Sequence, residues 1–178
     1  IKKMYIKTKV EKFLNQLSTP EDTASLVLVR VVFGLLMFWS TISDFYFGWV
    51  TELYAKPQYH FQYEWFQWVK PFPEEIMYII FVSQAVLSLM IALGLYYRVS
   101  AFLFFLGYTY IFLVERTTYN NHFYLICLLS FIMILAPLHK SWSLDILRGY
   151  EEHTDSHPVL WLWIFRLHMG IVYFYGGI

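Results

Sequence analysis

The sequence predicts an all-α membrane protein, a bundle of about five transmembrane helices preceded by an amphipathic interfacial helix. Hydrophobic residues make up 58% of the 178 residues and charged residues only 15%, against about 45–50% and about 25% in soluble chains. Aromatic residues make up 22%, and they concentrate between apolar runs, as they do in the interfacial belts of membrane proteins. This composition excludes a soluble enzyme and makes the lipid bilayer the first expected partner.

Length and charge narrow the class further. A chain of 178 residues corresponds to about one domain. The formal net charge is +0, which excludes the basic stripe that a nucleic-acid-binding face needs. Cys127 is the single cysteine, so no disulfide forms within the chain.

The chain divides into a basic segment over residues 1–22 and a transmembrane domain over residues 23–178, which we expect to continue past the last residue. In the first segment, lysines alternate with apolar residues at helical spacing, which predicts a helix lying on the membrane surface because it is too polar to span. Thr19 is followed by Pro20, Glu21 and Asp22. This pattern predicts a helix start with Thr19 as the N-cap.

Five apolar runs are candidates to cross the bilayer, since a hydrocarbon core of about 30 Å needs about 20 helical residues. The third and fourth runs are short, and the residues between them are few, which predicts a helical hairpin. The five runs are Ala24 to Phe45, Glu74 to Leu95, Val99 to Val114, His122 to Leu138, and Val159 to Ile178.

The distribution of Lys and Arg predicts the orientation. With five spans, eight such residues fall on the side of the N-terminus and three on the other side, and the side richer in positive charge is cytoplasmic. We therefore expect the N-terminus in the cytoplasm, and residues 46–73, residues 115–121 and the C-terminal end on the outer, periplasmic or lumenal side.

Polar residues open the fourth span on that outer side. Asn120, Asn121 and His122 are consecutive there. The simplest interpretation is helix capping by Asn with a solvated histidine. The functional alternative uses His122 for proton transfer or for holding a reacting oxygen, because its ordinary pKa near 6.5 suits either role.

Two arginines fall within spans, where each charge costs about 2.5–3.5 kcal/mol and marks a functional hypothesis. One is Arg30. The other, Arg166, begins a stripe with Gly170, Tyr173 and Gly177 on one helix face, which would let a helix or a flat ligand approach closely. The alternative is that the stripe only joins helices, with Arg166 reaching a carbonyl.

Residues 45–72 contain 12 aromatic residues, with His60 among them. We expect this segment to lie along the outer interface as short helices, where it either anchors the protein or forms a vestibule for a lipid-like ring compound. Glu115 and Arg116 come just before the fourth span, and a local ion pair is the favoured interpretation.

Metal and nucleotide sites are not predicted. None of the six histidines pairs with another at i, i+4 on a span, and His153 and His157 fall in a polar loop, where solvation is more usual than metal binding. The sequence contains no nucleophile elbow, P-loop or dinucleotide fingerprint.

Taken together, several segments resemble the vitamin K-dependent gamma-carboxylase family, whose membrane part is the so-called horizontally transferred transmembrane domain. They occur in the family's order and with nearly its spacing across residues 20–178. The matching stretches are Ala24-Ser25-Leu26 with Arg30 and Phe33-Gly34, Met77-Tyr78, Gly94-Leu95-Tyr96-Tyr97-Arg98, Asn120-Asn121-His122 with Tyr124-Leu125, Trp142-Ser143-Leu144-Asp145, and Arg166 with Ile171-Val172-Tyr173-Phe174 and Gly177.

The resemblance implies an integral membrane enzyme that oxidises vitamin K hydroquinone, of the phylloquinone or menaquinone type, with dioxygen and adds carbon dioxide to a glutamate of a protein or peptide on the outer side. By position it implies His122 and Asn121 as catalytic residues. The family's base is a lysine that would fall two residues after Ile178, on the face of the Arg166 stripe. We therefore expect the segment alone to be inactive.

The positions of polar and small residues in the sequence suggest the candidate binding residues. Arg166, Tyr173, Gly170, Gly177, Asn120, His60 and Arg30 are the candidate binding residues. Two alternatives come from other classes: a non-catalytic quinone-binding or assembly subunit, and a different membrane redox enzyme on the same scaffold.

Overall fold

A computed structural model of the protein describes residues 15–57 and 59–176. The predicted interfacial helix lies mostly outside these residues, although residues 15–17 are helical. The α-helices within the described part of the chain are α1 (Ala24–Tyr46), α2 (Glu74–Leu93), α3 (Tyr97–Val114), α4 (Asn121–Leu135), α5 (Leu144–Leu147) and α6 (Leu160–Gly176).

The predicted fold class is confirmed. Helices α1, α2 and α3 are long and apolar enough to cross a membrane, and α4 and α6 contain shorter apolar stretches. Helix α4 ends at Leu135, earlier than expected. Ala136 is extended, with ψ of 140°, because Pro137 follows it and disfavours the helical conformation in the residue before it.

The predicted helix start at Thr19 is wrong. Residues Pro20–Asp22 form strand β1, which pairs antiparallel with strand β2 (Ser156–Pro158). Helix α1 begins only at Ala24, whose backbone N–H donates to the Asp22 carboxylate at 2.7 Å. The Asp22 side chain does serve the helix terminus, but strand pairing holds residues Pro20–Asp22 extended.

Successive spanning helices run in opposite directions and define two ends of the bundle. The turn at Gly94 and residues 136–159 lie at the end where α1 begins, here called the Arg30 end. Residues 47–73 and the loop between α3 and α4, which contains a 3₁₀ turn at Arg116–Thr118, lie at the opposite, Glu115 end. The α3–α4 hairpin is as predicted, and which end faces the cytoplasm stays a prediction.

Helices α1 and α2 approach most closely at Gly34. A Cβ atom on this residue would lie 2.6 Å from the Ser88 carbonyl oxygen and from the Ala92 nitrogen, so only glycine lets the two backbones pack here. Small residues serve this purpose at helix contacts in membranes. The adjoining core contains Phe33, Phe104 and other buried residues from α1 to α4 and α6.

A second core lies at the Glu115 end. Residues 45–72 form a π-helical turn at Val50–Ala55 and a 3₁₀ turn at Glu64–Phe66, so the expected short helices are present. Val50 and Tyr54 are buried against side chains of α2 and α3. This segment therefore covers the end of the bundle and is not a free loop.

Candidate ligand-binding site

A cavity of about 260 Å³ lies in the half of the bundle nearer the Glu115 end. Helices α1 to α4 form its walls, and the π-helical turn covers it. Its lining is mainly apolar, and it includes several aromatic rings. The lining residues are Met37, Ser40, Thr41, Asp44, Trp49, Leu53, Tyr54, Phe81, Gln84, Tyr108, Ile111, Phe112, Thr118, Asn120 and Phe123.

Two buried polar atoms in the cavity wall have no hydrogen-bond partner among the residues that the structure describes. They are Oε1 of Gln84, in the middle of α2, and the hydroxyl of Tyr108 on α3. Gln84 is only 2% exposed. A Cβ atom at Gly107 would lie 2.1 Å from Nε2 of Gln84, so this glycine leaves room for the amide between the helices. Unsatisfied buried polar groups are rare and call for a partner.

A carboxylate also lines the cavity. Asp44, near the end of α1, is half-buried and lines the cavity. Within residues 15–57 and 59–176, no hydrogen bond or ion pair joins it to another side chain. An ionisable residue in a membrane span is costly and by default marks a functional site.

Asp44, Gln84 and Tyr108 are not among the site residues predicted from the sequence. The cost of a charge in a span, which drew attention to Arg30 and Arg166, would also have found Asp44. An amide near the centre of a predicted span is a weaker signal of the same kind. Tyr108 is one of 15 tyrosines, and only the structure distinguishes it.

His60, a predicted binding residue, lies above the cavity in a buried pair with Glu115. Its Nδ1 is 3.0 Å from Oε2 of Glu115. The other carboxylate oxygen of Glu115 accepts hydrogen bonds from the backbone N–H and the hydroxyl of Thr117, at 2.9 and 2.6 Å. The expected ion pair with Arg116 is therefore wrong, because Glu115 points inward while Arg116 is exposed.

Tyr54 supplies a neutral phenol to the cavity. It belongs to the π-helical turn outside the spans, and burial raises its pKa to about 12, although a hydrogen bond with Thr118 acts in the opposite direction. The phenol therefore keeps its proton at neutral pH and offers the cavity a hydrogen-bond donor.

Of the three residues at the start of α4, one lines the cavity and two do not. Asn120 occupies the N-cap position but makes no capping hydrogen bond with its side chain, and it lines the cavity. Asn121 and His122 are exposed. The ring of His122 contacts that of Phe123, a cavity residue, at 4.6 Å between centroids. The predicted catalytic pair thus lies beside the cavity wall and not inside it.

The structure does not bring the Arg166 stripe to the cavity. Helix α6 packs through Leu162 and Phe165, whereas Arg166 and Gly170 are exposed and Tyr173 is 73% exposed. The Arg166 guanidinium lies over the ring of Trp163, 5.6 Å from its centroid. Gly177 lies outside the described residues.

Arg30 lies at the other end of the molecule, where it supports the fold. It is 1% exposed, and its guanidinium donates to the carbonyls of Leu138, Ser141 and Trp142 at 3.0, 3.3 and 2.5 Å. These bonds tie α1 to the loop after α4. The buried charge of Arg30 is therefore satisfied by carbonyl oxygens of the protein, which is the alternative to ligand binding.

The fold and the site define a class: an α-helical membrane bundle with a small internal cavity lined by rings and a few polar groups. A family model described as "HTTM domain" matches residues 18–178. The chain therefore belongs to the HTTM-domain family, the transmembrane domain of the vitamin K-dependent gamma-carboxylase family, as its resemblance predicts. No solved structure matches the chain at a significant level.

Proposed function

We propose that this domain is the membrane part of a gamma-carboxylase-type enzyme and that its cavity binds the ring of a vitamin K hydroquinone. Membership of the family supports the general class. The observation that carries the specific proposal is the pair of atoms without a partner among the described residues, Oε1 of Gln84 and the hydroxyl of Tyr108, in a mainly apolar cavity.

The cavity fits such a ring in size and chemistry. Ligand sites typically measure about 300–1,000 Å³, so a volume near 260 Å³ suits a bicyclic ring and not a complete prenylated molecule. Phe81, Phe112 and Phe123 offer aromatic faces. Gln84, Tyr108 and Asp44 offer hydrogen bonds at separate points of the wall, which would fix the orientation of a ring with two oxygen substituents.

The remaining roles follow from position. When bound, the hydroquinone with dioxygen supplies the strong base that removes a γ-proton from a protein glutamate, before carbon dioxide adds. Asn121 and His122, next to the cavity residues Asn120 and Phe123, are placed to contact groups entering at the Glu115 end. We propose that this end faces the periplasm or lumen, where a glutamate-containing protein or peptide arrives.

Ring binding is tested with the protein in lipid nanodiscs and a tail-free naphthohydroquinone under anaerobic conditions. Tyr108→Phe removes only a hydroxyl, so we expect roughly a fivefold to tenfold loss of affinity, the usual value of one hydrogen bond. Tyr150→Phe, an exposed tyrosine at the Arg30 end, serves as the matched control. Equal affinities of wild type and both variants would remove the ring from this cavity.

Catalysis is tested separately in the full-length protein. His122→Ala is expected to abolish epoxide formation while the ring still binds, because the histidine lies outside the cavity wall. Incorporation of labelled carbon dioxide into a glutamate peptide distinguishes a carboxylase from another membrane redox enzyme. Unchanged epoxidation in the variant would exclude His122 from the reaction.

One observation favours a second candidate, a non-catalytic quinone-binding subunit. The exposed positions of Asn121 and His122 leave the cavity without the histidine that the family uses. Ring binding without epoxide formation or carbon dioxide incorporation by the full-length protein would support this candidate and contradict the enzymatic one.

A further inference from the structure

A groove in the protein surface lies at the Arg30 end, between α1, α2 and the short helix α5. Its volume is about 680 Å³, and its lining is mainly apolar. Leu35 of α1, Leu93 of α2 and Leu147 of α5 belong to this lining, and all three side chains are exposed. Contiguous exposed apolar side chains mark a surface that contacts lipid or another molecule.

The groove also contains a buried positive charge, because Arg30 belongs to its lining. Nη1 and Nη2 of Arg30 donate to the three loop carbonyls, which leaves this residue no role in the ring cavity, but Nε is buried and has no hydrogen-bond partner among the described residues. The nearby Asp145 carboxylate accepts from the backbone N–H groups of Tyr96 and Tyr97 instead. No carboxylate in the described part of the chain forms an ion pair with Arg30. An anion in the groove would therefore meet a cation and one unused N–H donor.

An aromatic ring with an unusual backbone conformation stands at this groove. Trp142 has a φ of 49°, in the left-handed region that residues with bulky side chains rarely adopt. Its carbonyl accepts the hydrogen bond from Nη2 of Arg30, while its indole is 83% exposed and lines the groove. Backbone strain of this kind concentrates at ligand sites, and exposed indoles at the ends of membrane helices lie at the level of the lipid headgroups.

The depth of Arg30 in the bilayer agrees with that level. Helix α1 has 23 residues and is about 34 Å long, slightly more than the roughly 30 Å of a hydrocarbon core. Arg30 is six residues from its start, or about 9 Å along the axis, from where an arginine side chain can extend to the headgroup boundary. The Arg30 end is the one predicted to face the cytoplasm, where anionic lipids give the membrane surface its negative potential.

We infer that the groove at the Arg30 end is a binding site for one anionic phospholipid. An acyl chain lies against Leu35, Leu93 and Leu147, and a phosphate oxygen accepts the Nε–H of Arg30 and compensates its charge. Reaching the buried Nε requires a lining side chain to rotate, and the exposed Trp142 and Leu147 do so at little cost. The site is separate from the ring cavity and does not depend on the proposed function.

The test measures lipid binding to the detergent-purified protein by native mass spectrometry. The probes are phosphatidylglycerol and phosphatidylcholine with the same two oleoyl chains, and wild type is expected to bind the anionic lipid at least roughly fivefold more tightly. Leu147→Glu places a carboxylate in the groove, whereas Leu147→Gln is the uncharged control of equal size. Affinity for phosphatidylglycerol should be at least roughly fivefold lower in the Glu variant than in the Gln variant, with equal affinities for phosphatidylcholine.

A further variant guards against misfolding of the first two. Trp142→Gly removes the indole but suits a φ of 49°, because glycine adopts positive φ freely. Its thermal midpoint without added lipid should not fall, while its affinity for phosphatidylglycerol should be lower than that of wild type.

Three results would overturn the inference. The first is equal binding of the two lipids by wild type, as expected of unspecific surrounding lipid. The second is equal affinity of the Leu147→Glu and Leu147→Gln variants for phosphatidylglycerol. The third is competition by glycerol phosphate, which has no acyl chains, at the same concentration as the complete lipid, because the apolar wall would then contribute nothing.

Discussion

Nδ1 of His60 lies 3.0 Å from Oε2 of Glu115, and the two side chains are only 7% and 6% exposed. The pair joins the aromatic segment after α1 to the loop between α3 and α4, on top of the cavity. A second link is the hydrogen bond from the Arg116 backbone N–H to the Phe61 carbonyl, at 2.7 Å. Two parts of the chain 55 residues apart are thus held together where the ligand would enter.

Replacing Glu115 with Ala should therefore destabilise the protein. The change leaves the buried His60 without its partner and removes the acceptor of the partly buried Thr117 N–H. The loss of one partner of a buried pair costs about 3–5 kcal/mol. The measurement is the free energy of unfolding by denaturant in detergent. Glu52→Ala breaks an exposed pair with Lys56 and should cost less than about 1 kcal/mol. Similar losses in the two variants would contradict the assigned role of Glu115.

The two arginines predicted within spans should respond differently to replacement. Arg30→Leu leaves the carbonyls of Leu138, Ser141 and Trp142 without their donor. We expect it to lower the free energy of unfolding by about 3 kcal/mol or more. Arg166→Leu changes an exposed side chain over Trp163 and should alter the free energy of unfolding by less than about 1 kcal/mol. A stable Arg30→Leu protein would show that these carbonyl contacts contribute little.

Two glycines provide another comparison. Gly34→Ala would place a Cβ atom 2.6 Å from backbone atoms of α2 and should force α1 and α2 apart, at a cost of about 1–3 kcal/mol. At Gly170 no atom of residues 15–57 or 59–176 lies within 4 Å of the added carbon, so Gly170→Ala should be neutral or stabilise α6 by up to about 1 kcal/mol. The measurement compares the thermal midpoints of Gly34→Ala, Gly170→Ala and the wild type. A lower midpoint for Gly170→Ala would show that this face of α6 is in close contact with another part of the protein.

Acidification should destabilise the Arg30 end. Burial lowers the pKa of His139 from its usual 6.5, although the neighbouring Glu151 opposes the shift. Burial also lowers the pKa of His157, and the nearby charge of Lys140 adds to this effect. Below about pH 6.5 the unfolded chain binds protons that the folded chain does not, so stability is complete above this pH and is lost as the pH falls toward the lowered values.

The thermal midpoint should consequently fall as the pH drops below about 6.5. His139→Phe keeps a ring against Tyr97, where the centroids are now 5.0 Å apart, and should make the decline shallower. His153→Gln, which alters a half-exposed side chain, should follow the wild type. An equally steep decline in all three proteins would assign the pH dependence to other groups.

Much of the site could not be predicted because its residues are ordinary in sequence. Gln84 and Tyr108 differ from neighbouring span residues only in what faces them, and their unpartnered atoms are a property of the packed bundle. The aromatic surroundings of His60 mark it in the sequence, but its partner Glu115 is distant in the chain. Arg30 stands out in the sequence as a charge in a span, but its three carbonyl partners come from a loop more than 100 residues later.

The sequence by itself determined the membrane environment, the succession of apolar helices and the family, because composition, run length and motif order are properties of the linear chain. Tertiary structure alone decided which polar residues share the cavity and which face outward. Those outcomes depend on the rotation of each helix about its axis and on contacts such as Gly34 against α2, where the fit of neighbouring backbones, and not local preference, sets the lowest free energy.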